Sequence, residues 1–236
     1  MISLVFFVLR KPMRLLTGWA LIMKVIDYLV ENVNKARGKG FDGVIGINIG
    51  KNLSTSVENA TKDYLIGLRQ AYYYADYITV NISSPNTPGL RTLQYGDELN
   101  GLLSAIKNEQ MKLVLEHKKY VPVAIKVAPD LTEKEVEAVA ESVISNNMDA
   151  LIATNTTLSR EAVEGYGHAH EAGGLSGDPV KDQSTKIIAE FHKYLKGFIY
   201  QGPGLISEIL ESETVNNHID TVIEENKPEV TLAEDN

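Results

Sequence analysis

The sequence contains no cysteine among its 236 residues. This excludes a disulfide-stabilised scaffold, a cysteine nucleophile and any zinc or iron–sulfur site built on thiolates. Basic residues are also few, 23 Lys and Arg against 31 Asp and Glu, which gives a formal net charge of −8. Nucleic-acid binding is therefore not expected, because it depends on a basic surface. No apolar run reaches the roughly 20 residues of a membrane-spanning helix.

The remaining composition is typical of a folded globular chain. Hydrophobic residues make up 44% of the sequence and charged residues 23%, which is close to the average for globular domains. A chain of this length buries one sizeable core, so a single domain is expected. Small-molecule chemistry is the function class that these numbers leave open.

The two ends of the chain differ from its middle. Residues 1–26 are apolar and basic, with a first apolar run over Ile2–Leu9 and a second over Leu15–Ile26. This segment fits either a membrane-surface anchor, with Trp19 at the interface, or a buried strand and helix of the core. At the other end, a helix over about Leu205–Ser212 is followed by an acidic tail, residues 213–236, which is expected to stay solvated.

Between the ends, short apolar runs alternate with longer amphipathic segments, as expected for an α/β fold with a largely parallel sheet. The predicted strands are Gly43–Asn48, Tyr77–Ile82, Val121–Val127, Ala150–Thr154 and Phe198–Tyr200. The predicted helices are Ile26–Arg37, Ser56–Tyr73, Asp97–His117, Thr132–Asn146 and Pro179–Leu195. Thr132 with Glu135 predicts a capping box, and Asp178 before Pro179 predicts an N-cap.

Polar side chains follow four consecutive predicted strands. These residues are Asn48, Asn81 with Ser83 and Ser84, Lys126, and Thr154 with Asn155 and Thr156. Because the carboxyl ends of parallel strands form one face, where α/β proteins bind ligands, we expect a site there. Lys126 carries most weight, since a lysine in an apolar strand needs an anionic partner. A single strand-end polar residue, by contrast, usually caps a helix or braces a loop.

Five segments of this region form an ordered set of motifs: Ile45–Asn52, Asn81–Arg91, Ile125–Asp130, Ala153–Thr157 and Gly173–Gly177. Together they resemble the dihydroorotate dehydrogenase family, and in particular its class 2, quinone-reducing branch. The resemblance extends from about Asp27 to Glu211 and implies that residues 27–212 form a flavin domain. It also implies a (β/α)8 TIM barrel that oxidises (S)-dihydroorotate to orotate in pyrimidine (UMP) biosynthesis, with FMN as cofactor and a quinone as acceptor.

The resemblance also assigns roles to individual residues. Ser84 matches the catalytic base, where class 1 members carry cysteine. The matching substrate-binding positions are Asn81, Asn86, Asn155 and Thr156, and the matching FMN-binding positions are Asn48, Asn81, Lys126, Thr154 and Gly177. No metal is implied. Class 2 membership implies peripheral association with the inner membrane, on the cytoplasmic side in a bacterium, and a cytoplasmic location otherwise.

The chain departs from the family pattern in two places. Neither an FMN-binding segment nor an Asn-Arg-Met-Gly-Phe motif is found before Asp27, and the penultimate strand and helix of the barrel are missing after about Leu195. The lost unit carries a Gly-Val-Gly-Gly loop for the FMN phosphate. We therefore expect an incomplete barrel with about five recognisable strands and weakened or absent FMN binding. The alternative function is a catalytically dead partial barrel that acts only by association with itself or with a partner.

Overall fold

A computed structural model describes residues 3–4, 22–85, 90–94, 96–167 and 169–195. The predicted strand Phe198–Tyr200, the predicted helix Leu205–Ser212 and the acidic tail lie outside these ranges. So does most of the segment 1–26, of which the structure places a short strand in the first apolar run and the start of a helix in the second. Among the helices of the described residues, none combines the length and the apolar character needed to cross a bilayer.

One parallel sheet of five strands organises these residues. The strands are β1 (Ser3–Leu4), β2 (Gly46–Ile49), β3 (Tyr77–Asn81), β4 (Val123–Val127) and β5 (Ala150–Ala153). Their order is β1-β5-β4-β3-β2, and every neighbouring pair is parallel. The four predicted strands in this part of the chain are confirmed, with ends displaced by at most three residues.

Five helices accompany the strands, and all five predictions are confirmed. They are α1 (Ile22–Gly38), α2 (Ala60–Ala71), α3 (Gly96–His117), α4 (Glu133–Ser145) and α5 (Asp178–Tyr194). Each helix packs against the next one in the chain. Consecutive strands that are also neighbours, joined by crossovers of one hand, place their helices on one side of the sheet. From β2 to β5 the structure is thus an arc of a (β/α)8 barrel.

Helix start signals match the structure with one correction. The capping box of α4 forms, with the Thr132 backbone N–H donating to Glu135 Oε2 at 2.6 Å. In α5, however, the N-cap is Gly177 rather than Asp178, which is already the first helical residue. Gly177 has φ 89° and ψ −154°, a conformation that glycine adopts without strain. The chain therefore turns into the helix one residue earlier than the proline signal predicted.

The helix-facing side of the sheet forms the hydrophobic core. Its buried strand residues are Ile47, Ile49, Ile78, Val80, Val123, Ile125, Val127, Leu151 and Ala153. β2 alternates between these buried positions and two exposed ones, Gly46 and Asn48. This period of two leaves the opposite, concave face of the arc open at β2. Because these residues pack into the core on one side of the sheet, their neighbours in each strand point to the concave face.

A buried carboxylate joins the amino ends of β4 and β5. Asp149, directly before β5, accepts hydrogen bonds from the Val123 backbone N–H at 2.7 Å and from Gln110 Nε2 at 2.7 Å. Its other oxygen accepts from Lys107 Nζ at 3.2 Å and from the Tyr120 hydroxyl. The side chains of Lys107 and Asp149 are only 16% and 13% exposed. Removing the carboxylate would therefore leave a buried ammonium and several buried donors without an acceptor.

We expect Asp149→Ala to lower the free energy of unfolding by about 3–5 kcal/mol, the usual cost of breaking one side of a buried ion pair. Urea denaturation followed by circular dichroism measures this change. Glu116→Ala is the matched control, because Glu116 is 69% exposed and its loss should cost less than about 0.5 kcal/mol. A loss below about 1 kcal/mol for Asp149→Ala would contradict the role given to this network.

Candidate functional site

Strand register brings the predicted polar residues to one face. Asn81 pairs with Lys126, and Lys126 in turn pairs with Ile152. Residues paired in this way in a parallel sheet point to the same side, and the hydrophobic residues beside them point to the helices. Asn81 and Lys126 are thus neighbours at the carboxyl edge of the concave face.

Three side chains form a hydrogen-bonded cluster at this edge. Asn155 Nδ2 lies 3.0 Å from Ser83 Oγ and 3.3 Å from Asn81 Oδ1. The Ser83 backbone N–H also donates to Asn81 Oδ1, at 3.2 Å, and Ser83 Oγ lies 2.9 Å from the Lys126 carbonyl. These donors occupy the oxygen of the Asn81 amide. Its Nδ2 hydrogens make no hydrogen bond within the described residues, so they are available to a ligand.

Lys126 has the electrostatic character of a ligand-binding residue. Its side chain is largely buried, and burial lowers the pKa of its ammonium below the usual value. Among the described residues, no carboxylate or hydrogen-bond acceptor contacts its Nζ. A charged group held out of water without a partner is costly unless another molecule supplies one. The site therefore suits a ligand with an anionic or carbonyl oxygen near Nζ.

The strand end at β5 is tied to α5 and to the glycine loop. The hydroxyls of Thr154 and Ser184 are hydrogen-bonded to each other. A side chain at Gly174 is excluded, because a Cβ there would lie 1.8 Å from Thr156 Oγ1. The glycine thus lets residues 173–177 approach the strand end closely, just before the start of α5.

The structure brings together most, but not all, of the predicted site residues. Asn81, Lys126, Thr154, Asn155 and Thr156 lie at the carboxyl edge around the cluster. Asn48 is exposed on the same concave face, on β2, and makes no hydrogen bond to the cluster within the described residues. Gly177 lies at the start of α5, and Ser84 is half-buried, next to Ser83 in the chain. Asn86 is outside the described residues. The catalytic and binding roles of these residues remain predictions.

Ser83 lies at the centre of the cluster; the sequence placed it among the strand-end polar residues, but the family resemblance assigned it no role. It is fully buried, whereas Ser84 is half-buried. Ser83 and Ser84 both lie beyond the end of β3, where the alternation of strand residues no longer applies, so no sequence signal separates the two serines. Within the described ranges, no group of three or more His, Asp or Glu side chains is placed to hold a metal ion.

The fold is that of a (β/α)-barrel protein, and polar side chains gather at the carboxyl ends of its strands. The family model described as "Dihydroorotate dehydrogenase" matches residues 16–201. The chain belongs to this family.

The curated relatives are quinone-linked members of the family. The "Dihydroorotate dehydrogenase (quinone)" of Pasteurella multocida (strain Pm70) is 58% identical over 174 residues, which are 74% of this chain and 50% of the relative. The protein of the same name from Vibrio parahaemolyticus is 48% identical over 219 positions, covering 79% of this chain and 64% of the relative. The chain thus spans about half to two thirds of these relatives' lengths.

Solved structures of the family share the fold. A ligand-free DHODH from Eimeria tenella has a TM-score of 0.64 and 30% identity, and the match covers 85% of this chain and 65% of that one. The DHODH of the same organism in complex with ferulenol gives a TM-score of 0.63 at 33% identity, over 81% of this chain and 55% of that one.

The Vibrio comparison includes positions of the relative that this chain lacks. Its 219 aligned positions contain 79% of a 236-residue chain, or about 186 residues, so about 33 positions of the relative have no counterpart here.

We expect Gly174→Ala to destabilise the protein by about 1–3 kcal/mol, because the added methyl group overlaps the Thr156 side chain and displaces the loop. Gly101→Ala in α3 is a control for which we expect the opposite change in the free energy of unfolding. No atom lies within 4 Å of a Cβ at Gly101, so the same change should stabilise the helix by about 0.5–1 kcal/mol. Urea denaturation of both variants measures the difference, and equal shifts would show that residue 174 is not tightly packed.

Proposed function

We propose that this chain oxidises (S)-dihydroorotate to orotate, with FMN as cofactor and a quinone as electron acceptor, in the synthesis of UMP. One observation carries the proposal: the amides of Asn81 and Asn155 lie at the same strand edge as Lys126, whose ammonium has no acceptor among the described residues. Family membership and the quinone in the relatives' names support it. The retained cluster favours this function over that of a catalytically dead partial barrel.

The residues present fit part of an FMN site. The Lys126 ammonium lacks an acceptor among the described residues, and a flavin ring edge offers carbonyl oxygens and a developing negative charge. Asn48 is exposed on the same face, and Gly177 presents its backbone at the start of α5. When bound, FMN supplies the acceptor for the hydride that leaves C6 of the substrate. The expected loss of the phosphate loop predicts that FMN binds more weakly than in full-length relatives.

The substrate offers a carboxylate and ring amides to the same edge. Asn81 Nδ2 is a donor whose direction is fixed by the bonds to its Oδ1, and Asn155 is held by Ser83 on one side and by the Thr156 backbone N–H on the other. Such fixed donors orient a planar ring before reaction. The Ser84 hydroxyl is the proposed acceptor of the proton from C5. Because serine is a weak base, a neighbouring group or water must stabilise or relay that proton.

Two further proposals concern association. The apolar and basic segment 1–26, together with a quinone acceptor, supports peripheral contact with the inner membrane. Within the described sheet, β2 pairs with β3 alone, so its other edge has unpaired backbone groups. An open strand edge favours pairing with a second chain. Self-association at β2 is therefore proposed alongside the enzymatic function.

The proposed function is tested by the visible absorption of the gel-filtered chain after incubation with FMN, before and after addition of dihydroorotate. We expect a retained flavin spectrum that bleaches on substrate addition and recovers with a quinone analogue. Ser84→Ala should retain flavin but bleach about 10²–10⁴ times more slowly, the usual contribution of a general base. Ser104→Ala, exposed on α3, is the matched control.

Two outcomes would contradict the proposal. If the chain retains no flavin at millimolar FMN, it belongs to the family by descent but does not carry out the reaction. If instead Ser84→Ala bleaches at the wild-type rate, proton removal from C5 does not depend on this serine.

Replacement of Lys126 by an apolar residue should stabilise the FMN-free protein and weaken its binding of FMN. We expect Lys126→Met to raise the free energy of unfolding of the FMN-free protein by about 0.5–2 kcal/mol, since it removes a partly buried charge that has no acceptor among the described residues. The same change should weaken FMN binding at least tenfold, as measured by fluorescence titration. Lys134→Met, at an exposed position of α4, should change neither quantity. Unchanged FMN affinity in Lys126→Met would remove this residue from the site.

A further inference from the structure

Arg91 connects three loops at the carboxyl edge of the sheet. It lies in the short 3-10 turn Leu90–Gln94, at the far end of the segment that carries Ser84. Its NH1 donates to Asp130 Oδ2 at 2.6 Å, and its NH2 donates to the Thr156 carbonyl at 3.2 Å. Asp130 follows β4 and Thr156 follows β5. One guanidinium therefore joins the segments after β3, β4 and β5.

Asp130 is the acceptor at the centre of this connection. One of its oxygens receives the Thr157 hydroxyl and Gln183 Nε2, the latter at 3.2 Å. Burial alone would raise the pKa of the Asp130 carboxyl, but the hydrogen bonds from Thr157, Arg91 and Gln183 and the charge of Arg91 hold that pKa below its usual value. The carboxylate is thus ionised at neutral pH and links both loops to α5.

The pair reaches the site through one peptide segment. The Thr156 backbone N–H donates to Asn155 Oδ1 at 2.8 Å, while its carbonyl accepts from Arg91. Asn155 in turn donates to Ser83 Oγ at 3.0 Å, one residue before Ser84. A chain of contacts therefore runs from Arg91 through Thr156 and Asn155 to the serine pair. No hydrogen bond within the described residues joins Arg91 or Asp130 directly to Asn81, Ser83 or Lys126.

We propose that Arg91 and Asp130 form a positioning pair that holds the Ser84 segment and the Asn155 amide in their reactive arrangement. This inference rests on the proposed function, and neither residue is a catalytic residue in it. The guanidinium makes two bonds in different directions from one plane, which a lysine ammonium cannot reproduce. Small displacements of reacting groups reduce rates by about 10²-fold. Loss of the pair should therefore slow proton removal more than it weakens binding.

The test uses stopped-flow reduction of the FMN-loaded chain by dihydroorotate and by dihydroorotate deuterated at C5. We expect Asp130→Asn and Arg91→Lys each to slow flavin reduction about 10–100-fold, with FMN and orotate dissociation constants changed less than threefold. The C5 deuterium isotope effect should rise, because proton removal becomes more rate-limiting. A general loss of structure would not raise it. The double variant should be no slower than the slower single variant, as expected for residues that act as one unit.

Glu109→Gln is the matched control, since it removes a different ion pair, Arg69–Glu109, which joins α2 and α3. It should leave the reduction rate and the isotope effect unchanged. Wild-type reduction kinetics in Asp130→Asn, or additive losses in the double variant, would overturn the proposal. If one single variant fails to fold, the reduction rate and the isotope effect of the other variant test the proposal.

A second measurement separates this inference from the proposed function. If the wild-type chain does not reduce flavin, the proposed function fails, and hydrogen exchange then tests the pair by itself. We expect amide protection in residues 82–85, 90–94 and 155–158 to fall at least tenfold in Asp130→Asn and Arg91→Lys, with protection in β3 and β4 unchanged. Unchanged protection in these residues would show that the pair does not hold them.

Discussion

The common direction of the strands is the constraint on which the site depends. Because β2 to β5 are all parallel, the residues that leave each strand emerge at the same edge. The register then sets Asn81 beside Lys126 within that edge. One antiparallel strand would send its polar terminus to the opposite end of the sheet. The position of the proposed ligand face is therefore a consequence of backbone pairing, and its side chains decide which ligand it suits.

The two ends of the sheet differ in whether their charged side chains have partners within the described residues. At the amino end, Asp76 accepts the Ile45 backbone N–H at 2.6 Å and pairs with Arg37, and Asp149 is satisfied by four donors. At the carboxyl end, Lys126 is partly buried with no partner among the described residues. Satisfied buried charges specify register, whereas an unsatisfied one costs stability that a ligand can restore. This contrast separates the structural end of the arc from its proposed binding end.

Local patterns predicted most of the fold and part of the site. Apolar runs predicted the strands, and helical periodicity predicted the helices. Thr132 with Glu135 predicted the start of α4. Each of these features depends only on residues that are close together in the sequence. Ser83 was named with the other strand-end residues, but no local pattern predicted its hydrogen bonds to Asn155 and to the Lys126 carbonyl. The Arg91–Asp130 pair could not be predicted from the sequence, because the two residues are 39 positions apart and meet only in the folded chain. The position of β1 next to β5 was equally non-local.

That position affects the order in which the sheet assembles. Ala124 and Ala150, paired across β4 and β5, are 26 residues apart, whereas Ser3 and Ala150, paired across β1 and β5, are 147 apart. Closing the longer loop costs about 1.5 kcal/mol more in chain entropy. During synthesis, β2 to β5 each meet a neighbour as soon as the next helix has formed, but β1 must wait until β5 is made. Among the described strands, the one that comes first in the sequence is thus the last to be paired.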